Sequence, residues 1–258
     1  MVHSTAPGFG VQTLELPAPV TIERAGCHLI DIPGAVQTAV MEANVGPHGA
    51  IAERAQVVVA NQILGGSASS RLFTVLRERK GLTYGIYSNF DLRRRSGDWS
   101  VSGSTRTAQT GEALAAIRTE IQLMRSTSVR DAELSAARQF LAGQFVMSQS
   151  SGAAVAERLA HLRIEGLTDD TWQRWVPAVQ AVDVGAVRQA AERWIGSGRR
   201  VTVLAGAADG MRPAIDAHCP RLLLRDAKGR LLRALIADDA EMTDADRVAL
   251  FAIWAGAE

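Results

Sequence analysis

Alternation of apolar and polar positions predicts the strands of this chain. From Tyr84 to Leu92 every second side chain belongs to one set, Tyr84, Ile86, Ser88, Phe90 and Leu92, as in a strand with one buried face. After a turn over 93–97 the alternation resumes from Trp99 to Thr105, which predicts a hairpin. Shorter apolar runs predict strands over 27–32, 36–44 and 200–204, and the first two end at Pro33-Gly34 and Gly46-Pro47.

Helical spacing of apolar residues dominates the remaining sequence. A first helix follows Ala50, and a second begins near the candidate N-caps Ser69 and Ser70 and ends at Lys80-Gly81, a basic last turn before a glycine C-cap. Leu72, Phe73, Leu76 and Arg77 lie on neighbouring faces of that second helix. Later helices are predicted over 113–124, 131–149, 153–164, 171–178 and 184–195.

This order of elements predicts an α+β domain, a layered sheet with helices packed on it. We divide the chain into a loose leader over 1–20, a domain over 21–207 and a C-terminal extension over 208–258 that could belong to the same domain. Within the extension, 221–236 could form two short strands around the turn 227–229, and 243–254 an amphipathic helix.

Composition excludes several classes of protein. With 258 residues, 47% hydrophobic, 21% charged and a net charge of +1, the chain has a core but no overall field that would attract nucleic acid or an anionic membrane. We find no signal peptide and no apolar run long enough to span a bilayer. Cys27 and Cys219 match no metal or redox spacing, so we interpret them as buried or idle thiols of a reducing, cytoplasmic compartment.

Four short motifs in a fixed order resemble a known family. They are IDIPGAVQTAV (30–40), ANQILGGSASSRL (60–72), LRE (76–78) and KGLTYG (80–85). Together they look like the C-terminal, metal-free half of the peptidases related to pitrilysin, insulysin and the mitochondrial processing peptidase. The resemblance covers about Cys27 to Ala207 and implies the same α+β architecture.

A zinc site is what the sequence lacks. The active half of such peptidases carries H-x-x-E-H, which puts two imidazoles on one helical face beside a glutamate. No two of the five histidines here stand close enough to share a helix face, and His161 with Glu165 is interpreted as an isolated surface or core pair. We therefore expect no metal in this chain and zinc on a partner chain.

Arg77 and Tyr84 are the candidate functional pair. The resemblance implies that an arginine and a tyrosine seven residues apart, inside LRE and GLTYG, reach the zinc site of the other half and hold the substrate carbonyl. Both side chains are donors at neutral pH, and donors aimed at a developing oxyanion accelerate peptide hydrolysis. Taken singly, Arg77 could instead complement a helix dipole, and Tyr84 could be a strand aromatic. Strand alternation predicts that Tyr87, three residues on, faces away from Tyr84.

The loop of Gly65, Gly66 and Ser67 admits two interpretations. It is a tight helix-to-helix turn, or, by resemblance to the longer glycine-rich loop of the processing peptidase, a substrate loop. Arg71 could be a salt-bridge partner or an interface residue.

These observations predict a zinc-free subunit of an insulinase-like peptidase. It would form a heterodimer with a chain bearing H-x-x-E-H, and the two would enclose a peptide substrate, without nucleic acid or membrane. The alternatives are a non-enzymatic scaffold descended from such a peptidase and one half of a longer polypeptide.

Overall fold

A seven-stranded sheet organises the computed structural model, which describes residues 26–168, 170–198 and 200–236. The strands are β1 (Gly26–Asp31), β2 (Gln37–Gly46), β3 (Ile86–Asp91), β4 (Gly97–Arg106), β5 (Val201–Gly206), β6 (Arg221–Arg225) and β7 (Leu231–Ile236). Their order in the sheet is β3-β4-β2-β5-β1-β6-β7. β1 is parallel to β5 and β6, and the other neighbours are antiparallel.

Helices fill most of the intervals between these strands. They are α1 (Arg54–Leu64), α2 (Arg71–Phe73), α3 (Thr110–Ser126), α4 (Asp131–Met147), α5 (Gly152–Glu165), α6 (Thr171–Ala181), α7 (Val184–Trp194) and α8 (Ala208–Ile215). α2 continues directly as a π-helix (Thr74–Arg79), and a 3₁₀ turn (Thr107–Gln109) precedes α3. Among the described helices, none is long and apolar enough to cross a bilayer. The α+β architecture predicted from the sequence is confirmed.

The two faces of the sheet differ in what covers them. In β2 the buried positions alternate with exposed ones, and α3 contacts the sheet at β2 and β4. The buried face contributes a core that includes Leu29, Val40, Trp99 and Leu204. Among the described residues, the opposite face of β2 presents Ala39, Met41 and Val45 as exposed and Ala43 as half-buried; we call it the open face.

A buried ion pair ties the centre of the sheet to α3. Glu42 in β2 has no exposed surface, and Arg118 of α3 donates from Nε to its Oε1 over 2.7 Å. Thr202 of β5 donates to the same oxygen over 3.0 Å. Because removing one partner of a buried pair leaves an uncompensated charge, this contact holds α3 in place over the sheet.

Several predicted boundaries differ from the structure. The first helix begins at Arg54 rather than after Ala50, and the helix α8 was not predicted. The two predicted strands of the extension are β6 and β7, and β6 pairs with β1 inside the main sheet. The predicted helix over 243–254 and the leader over 1–20 lie outside the described residues, and the proposed domain boundaries stay a prediction.

Cys27 and Cys219 are buried, as predicted, but the interpretation of them as thiols is wrong. They form a disulfide across 192 residues of sequence, with their Cα atoms 5.6 Å apart. The physical reason is the parallel pairing of β1 with β6, which places Cys27 opposite Leu222 and brings the residues just before β6 next to β1. Sequence separation concealed a contact that the sheet topology creates.

Candidate functional site

The helix that begins after Ser70 carries the candidate site at one corner of the sheet. Ser70 has extended backbone at the N-cap, although its side chain makes no capping hydrogen bond. From Thr74 onward the helix is wider than an α-helix, and Lys80 N–H donates to the carbonyl oxygen of Val75 five residues earlier, over 3.1 Å. Gly81 ends it with a φ of +62°, a conformation that glycine adopts without strain. Helical segments of this π type are frequent at functional sites.

Arg77 and Tyr84 lie in direct contact. The guanidinium carbon of Arg77 is 4.7 Å from the centre of the Tyr84 ring and 4.8 Å from the centre of the Phe73 ring. These are cation–π distances. The seven-residue spacing in sequence therefore becomes a contact, because the chain turns at Gly81 and returns past the helix.

The polar groups of this pair are available to a ligand. Among the described residues, the Arg77 side chain makes these two ring contacts, and no hydrogen bond or ion pair engages its guanidinium N–H groups. Tyr84 is 85% exposed. A guanidinium and a phenol at this corner can donate to an oxygen that approaches from solvent or from a partner chain.

Tyr84 lies outside the strand that was predicted to begin with it. β3 begins at Ile86, and Thr83 forms a local turn in which its hydroxyl donates to the Gly85 carbonyl over 2.9 Å and accepts from the Gly85 N–H over 3.1 Å. Ile86, Ser88 and Phe90 are buried in alternation, as predicted.

The direction of Tyr87 relative to Tyr84 stays a prediction, and the structure places the Tyr87 ring against Phe73. Tyr87 is 46% exposed, and its ring centre lies 5.7 Å from that of Phe73, the residue that also contacts Arg77. Strand alternation does not relate the two tyrosines because Tyr84 precedes the strand. We call Phe73, Arg77, Tyr84 and Tyr87 the aromatic corner.

The loop of Gly65, Gly66 and Ser67 is a packed turn against β3. Ser88 N–H donates to the Gly65 carbonyl over 2.9 Å, and the Ser88 hydroxyl donates to Asn61 Oδ1 over 2.7 Å. Trp99 Nε1 reaches the same Asn61 oxygen at 3.2 Å. These bonds support the interpretation as a tight turn and leave Ser67, which is half-buried, at its outer end.

Arg71 is a salt-bridge partner. Its Nε and Nη2 donate to the two carboxylate oxygens of Glu133 over 2.8 and 2.9 Å. Burial raises the pKa of Glu133, but hydrogen bonds from Arg71 and Arg130 outweigh it and lower that pKa to about 2. We call α2 and the π-helix together the site helix (71–79). The bidentate pair fastens the start of the site helix to the start of α4.

A metal centre is not formed by the described residues. They contain no group of three or more His, Cys, Asp or Glu side chains that could hold an ion. His161 is exposed, whereas Glu165 is buried. Burial lowers the pKa of Arg54 while the Glu165 carboxylate opposes that shift, so Glu165 serves as a counter-charge to this arginine.

A groove of about 720 Å³ lies between α1, α6 and α7. Its lining includes Gly49, Arg54 and Trp175 but neither Arg77 nor Tyr84.

The sequence analysis identified the polar pair Arg77 and Tyr84 and missed Phe73 and Tyr87 as its aromatic support. The four-residue spacing of Phe73 and Arg77 on one helix was the available signal.

Comparison with known proteins gives one family and several relatives. A family profile described as peptidase M16 inactive domain matches residues 12–141. A protein named "Uncharacterized zinc protease YmxG" from Bacillus subtilis is 32% identical over 95 residues, which are 37% of this chain and 23% of that protein. The chain therefore aligns with only about a quarter of this relative's length.

Solved structures give the same picture of the fold. The crystal structure of a peptidase M16 inactive domain from Pseudomonas fluorescens is 27% identical with a TM-score of 0.69, over 75% of this chain and 46% of that one. A protease from Helicobacter pylori shares the fold with a TM-score of 0.67 at 15% identity, over 76% of this chain and 48% of that one. In both, this chain corresponds to about half of the solved chain.

Proposed function

This chain belongs to the peptidase M16 inactive-domain family, and we propose that it serves as the zinc-free half of a zinc peptidase. The other half, a separate chain or a further part of a longer one, would carry H-x-x-E-H and the metal. The observation that carries the proposal is the contact between Arg77 and Tyr84, whose polar groups are unengaged by the described residues.

The chemistry proposed for the aromatic corner is donation to the substrate carbonyl. Zinc on the partner half would supply an activated water. Arg77 and Tyr84 donate hydrogen bonds to the carbonyl oxygen of the peptide, which gains negative charge during attack. Loss of one such donor costs a factor of roughly 10² to 10³ in rate in a well-studied peptidase. Neither side chain supplies the nucleophile.

The open face supports a peptide substrate. Tyr87 of β3 lies opposite Ser102 of β4, which lies opposite Met41 of β2, and Met41 lies opposite Val203 of β5. This row of uncharged side chains leads from the aromatic corner across four strands, on the side that the described helices leave uncovered. An extended segment of polypeptide fits such a flat surface better than a compact domain does.

The test begins with the partner. We expect the tagged chain to recover, from the extract of its own cells, a protein with H-x-x-E-H, and the two together to cleave an unfolded peptide. Arg77→Ala should then lower kcat/KM by roughly 10²-fold, as loss of an oxyanion donor does. Tyr84→Phe should lower it too, because the ring remains but the hydroxyl donor is lost.

Arg79→Ala is the matched control. Arg79 is an exposed arginine on the same π-helix, without the ring contacts, so its loss should leave the rate unchanged. If Arg77→Ala retained the full rate in the reconstituted peptidase, the scaffold hypothesis would replace this proposal. A tight, stoichiometric zinc site on this chain alone, measured by calorimetry, would also overturn it.

A further inference from the structure

The two rings that contact Arg77 differ in how firmly the protein holds them. Phe73 is 3% exposed and lies where α2 passes into the π-helix, so its ring has little room to move. Tyr84 is almost fully exposed and lies in the turn before β3. The distances to the Arg77 guanidinium are nearly equal, 4.8 and 4.7 Å, but only the Phe73 ring is anchored in the protein.

Tyr87 braces the anchored ring from the sheet. Its ring lies 5.7 Å from that of Phe73, with the planes inclined by 41°. Tyr87 belongs to β3, whose pairing with β4 fixes its position opposite Ser102. The Phe73 ring is thus held by its helix and by the sheet, and it presents one surface to Arg77.

We propose that Phe73 is the positioning residue of the aromatic corner, with Tyr87 as its support. Phe73 holds the Arg77 guanidinium, and Arg77 in turn orders the exposed ring of Tyr84. The inference rests on the proposed function for its catalytic consequence, but its structural content concerns this chain alone. Phe73 does not touch the substrate and acts only through Arg77.

The physical case is the flexibility of an exposed arginine. An arginine side chain has many rotamers, and no hydrogen bond within the described residues restricts those of Arg77. A cation over an aromatic face is attracted by the ring quadrupole, which favours one arrangement without using the N–H donors. Donors that are already in place cost no reorganisation when charge develops on the substrate.

The wider helix contributes to this arrangement. Thr74–Arg79 is π-helical, and the Leu82 N–H donates to the Leu76 carbonyl over 2.8 Å as the chain leaves it. The segment that follows the π-helix returns past it, and Tyr84 of that segment contacts Arg77.

The test uses the full-length chain and nuclear magnetic resonance of the Arg77 side chain. In the unmodified protein we expect the Arg77 Nε–Hε and Hδ signals to be shifted upfield by ring currents, and Hδ to show nuclear Overhauser effects to the Phe73 ring. Phe73→Leu should reduce the shift to the contribution of the Tyr84 ring and increase the fast motion of Nε–Hε. Phe73→Tyr, which keeps the ring, should restore both.

Phe90→Leu is the control for loss of a buried phenylalanine. Phe90 is buried in β3 and makes no ring contact with Arg77, so this variant should leave the Arg77 signals unchanged. Unchanged Arg77 signals in a folded Phe73→Leu protein would overturn the proposal. If Phe73→Leu does not fold, absence of the Phe73–Arg77 Overhauser effects in the unmodified protein decides against it.

The activity measurement separates this inference from the proposed function. In the reconstituted peptidase Phe73→Leu should lower kcat/KM by roughly 2- to 5-fold, the factor that corresponds to one cation–π contact at an exposed site. Phe73→Tyr should recover that loss. If the Arg77 signals respond to Phe73→Leu while Arg77→Ala leaves the rate intact, the positioning role stands and the peptidase role fails.

Discussion

Arg77 and Gly65 contribute in opposite ways to the corner of the sheet next to β3. Arg77 contributes through what its side chain can donate. Gly65 contributes through the absence of one, since a Cβ atom there would come 2.6 Å from the backbone nitrogen of Ser88. The φ of Gly65 is −154°, outside the positive range that favours glycine, so the requirement for glycine is close approach and not a left-handed backbone.

We predict that Gly65→Ala destabilises the protein. The added methyl group would push the turn away from β3 and disturb the hydrogen bond between Ser88 N–H and the Gly65 carbonyl. Overpacking of this kind typically costs about 1–3 kcal/mol in the free energy of unfolding, which urea denaturation measures.

Gly143→Ala is the matched control for Gly65→Ala. Gly143 lies inside α4, and a Cβ there would meet no atom within 4 Å. Because alanine favours the helix over glycine, we expect this variant to be more stable by about 0.5–1 kcal/mol. Equal stability of the two variants would show that the close approach at Gly65 is tolerated.

At the scale of elements, the site helix is fastened to α4 at its beginning. Glu133 lies in the first turn of α4, where its carboxylate accepts from the Arg130 backbone N–H over 3.0 Å. The same carboxylate accepts both donors of Arg71. The Glu133 side chain thus caps the N-terminus of α4 and anchors the start of the site helix.

The pKa of Glu133 gives this fastening a pH dependence. Its folded-state pKa of about 2 lies below the ordinary value of 4.5, so the ionised form is stabilised by folding. That stability is fully present above pH 4.5 and is lost as the pH falls toward 2. We expect Glu133→Gln to cost on the order of 2 kcal/mol near pH 7, and the difference from the unmodified protein to shrink below pH 4.

Glu112→Gln is the control for the carboxylate of Glu133. Glu112 forms an exposed ion pair with Lys80 at 2.9 Å, and exposed pairs contribute about 0–1 kcal/mol. Denaturation of both variants across pH 2–7 makes the comparison. A Glu133→Gln protein with a constant deficit over that range would contradict the assigned role.

At the scale of the whole molecule, the disulfide joins the first described strand to the segment before β6. Closing a loop of 192 residues strongly restricts the unfolded chain. We predict that the double variant Cys27→Ala/Cys219→Ala loses about 3–5 kcal/mol of unfolding free energy in urea denaturation, and that reduction of the unmodified chain causes a similar loss.

Thiol chemistry checks the bond itself and its compartment. Under non-reducing conditions we expect the purified protein to show no free thiol after unfolding, since Cys27 and Cys219 are the two cysteines of the sequence. Two reactive thiols would contradict the bond. A cytoplasmic location stays a prediction, and because disulfides persist chiefly in oxidising compartments, alkylation of the protein inside its own cells tests it.

Local patterns predicted most elements, and failed where local preference was weak. The strands and helices from β1 to β5 follow periodicities of two and 3.6, which a buried face imposes on the sequence. α8 contains Gly210 and Pro213 and forms because Met211 and Ile215 are fully buried, so packing outweighs a poor helical propensity. No sequence pattern distinguishes the π-helix from an α-helix, because the residues of Thr74–Arg79 are compatible with both.

The sequence by itself determined the α+β class, the order of strands and helices from β1 to β5 and the spacing of Arg77 and Tyr84, because periodicity and short motifs are local properties of the chain. Only the tertiary structure decided which residues surround that pair. The approach of Tyr87 to Phe73 and the bond between Cys27 and Cys219 depend on where strands and turns meet. Such meetings are set by the packing of the whole sheet, which no local pattern encodes.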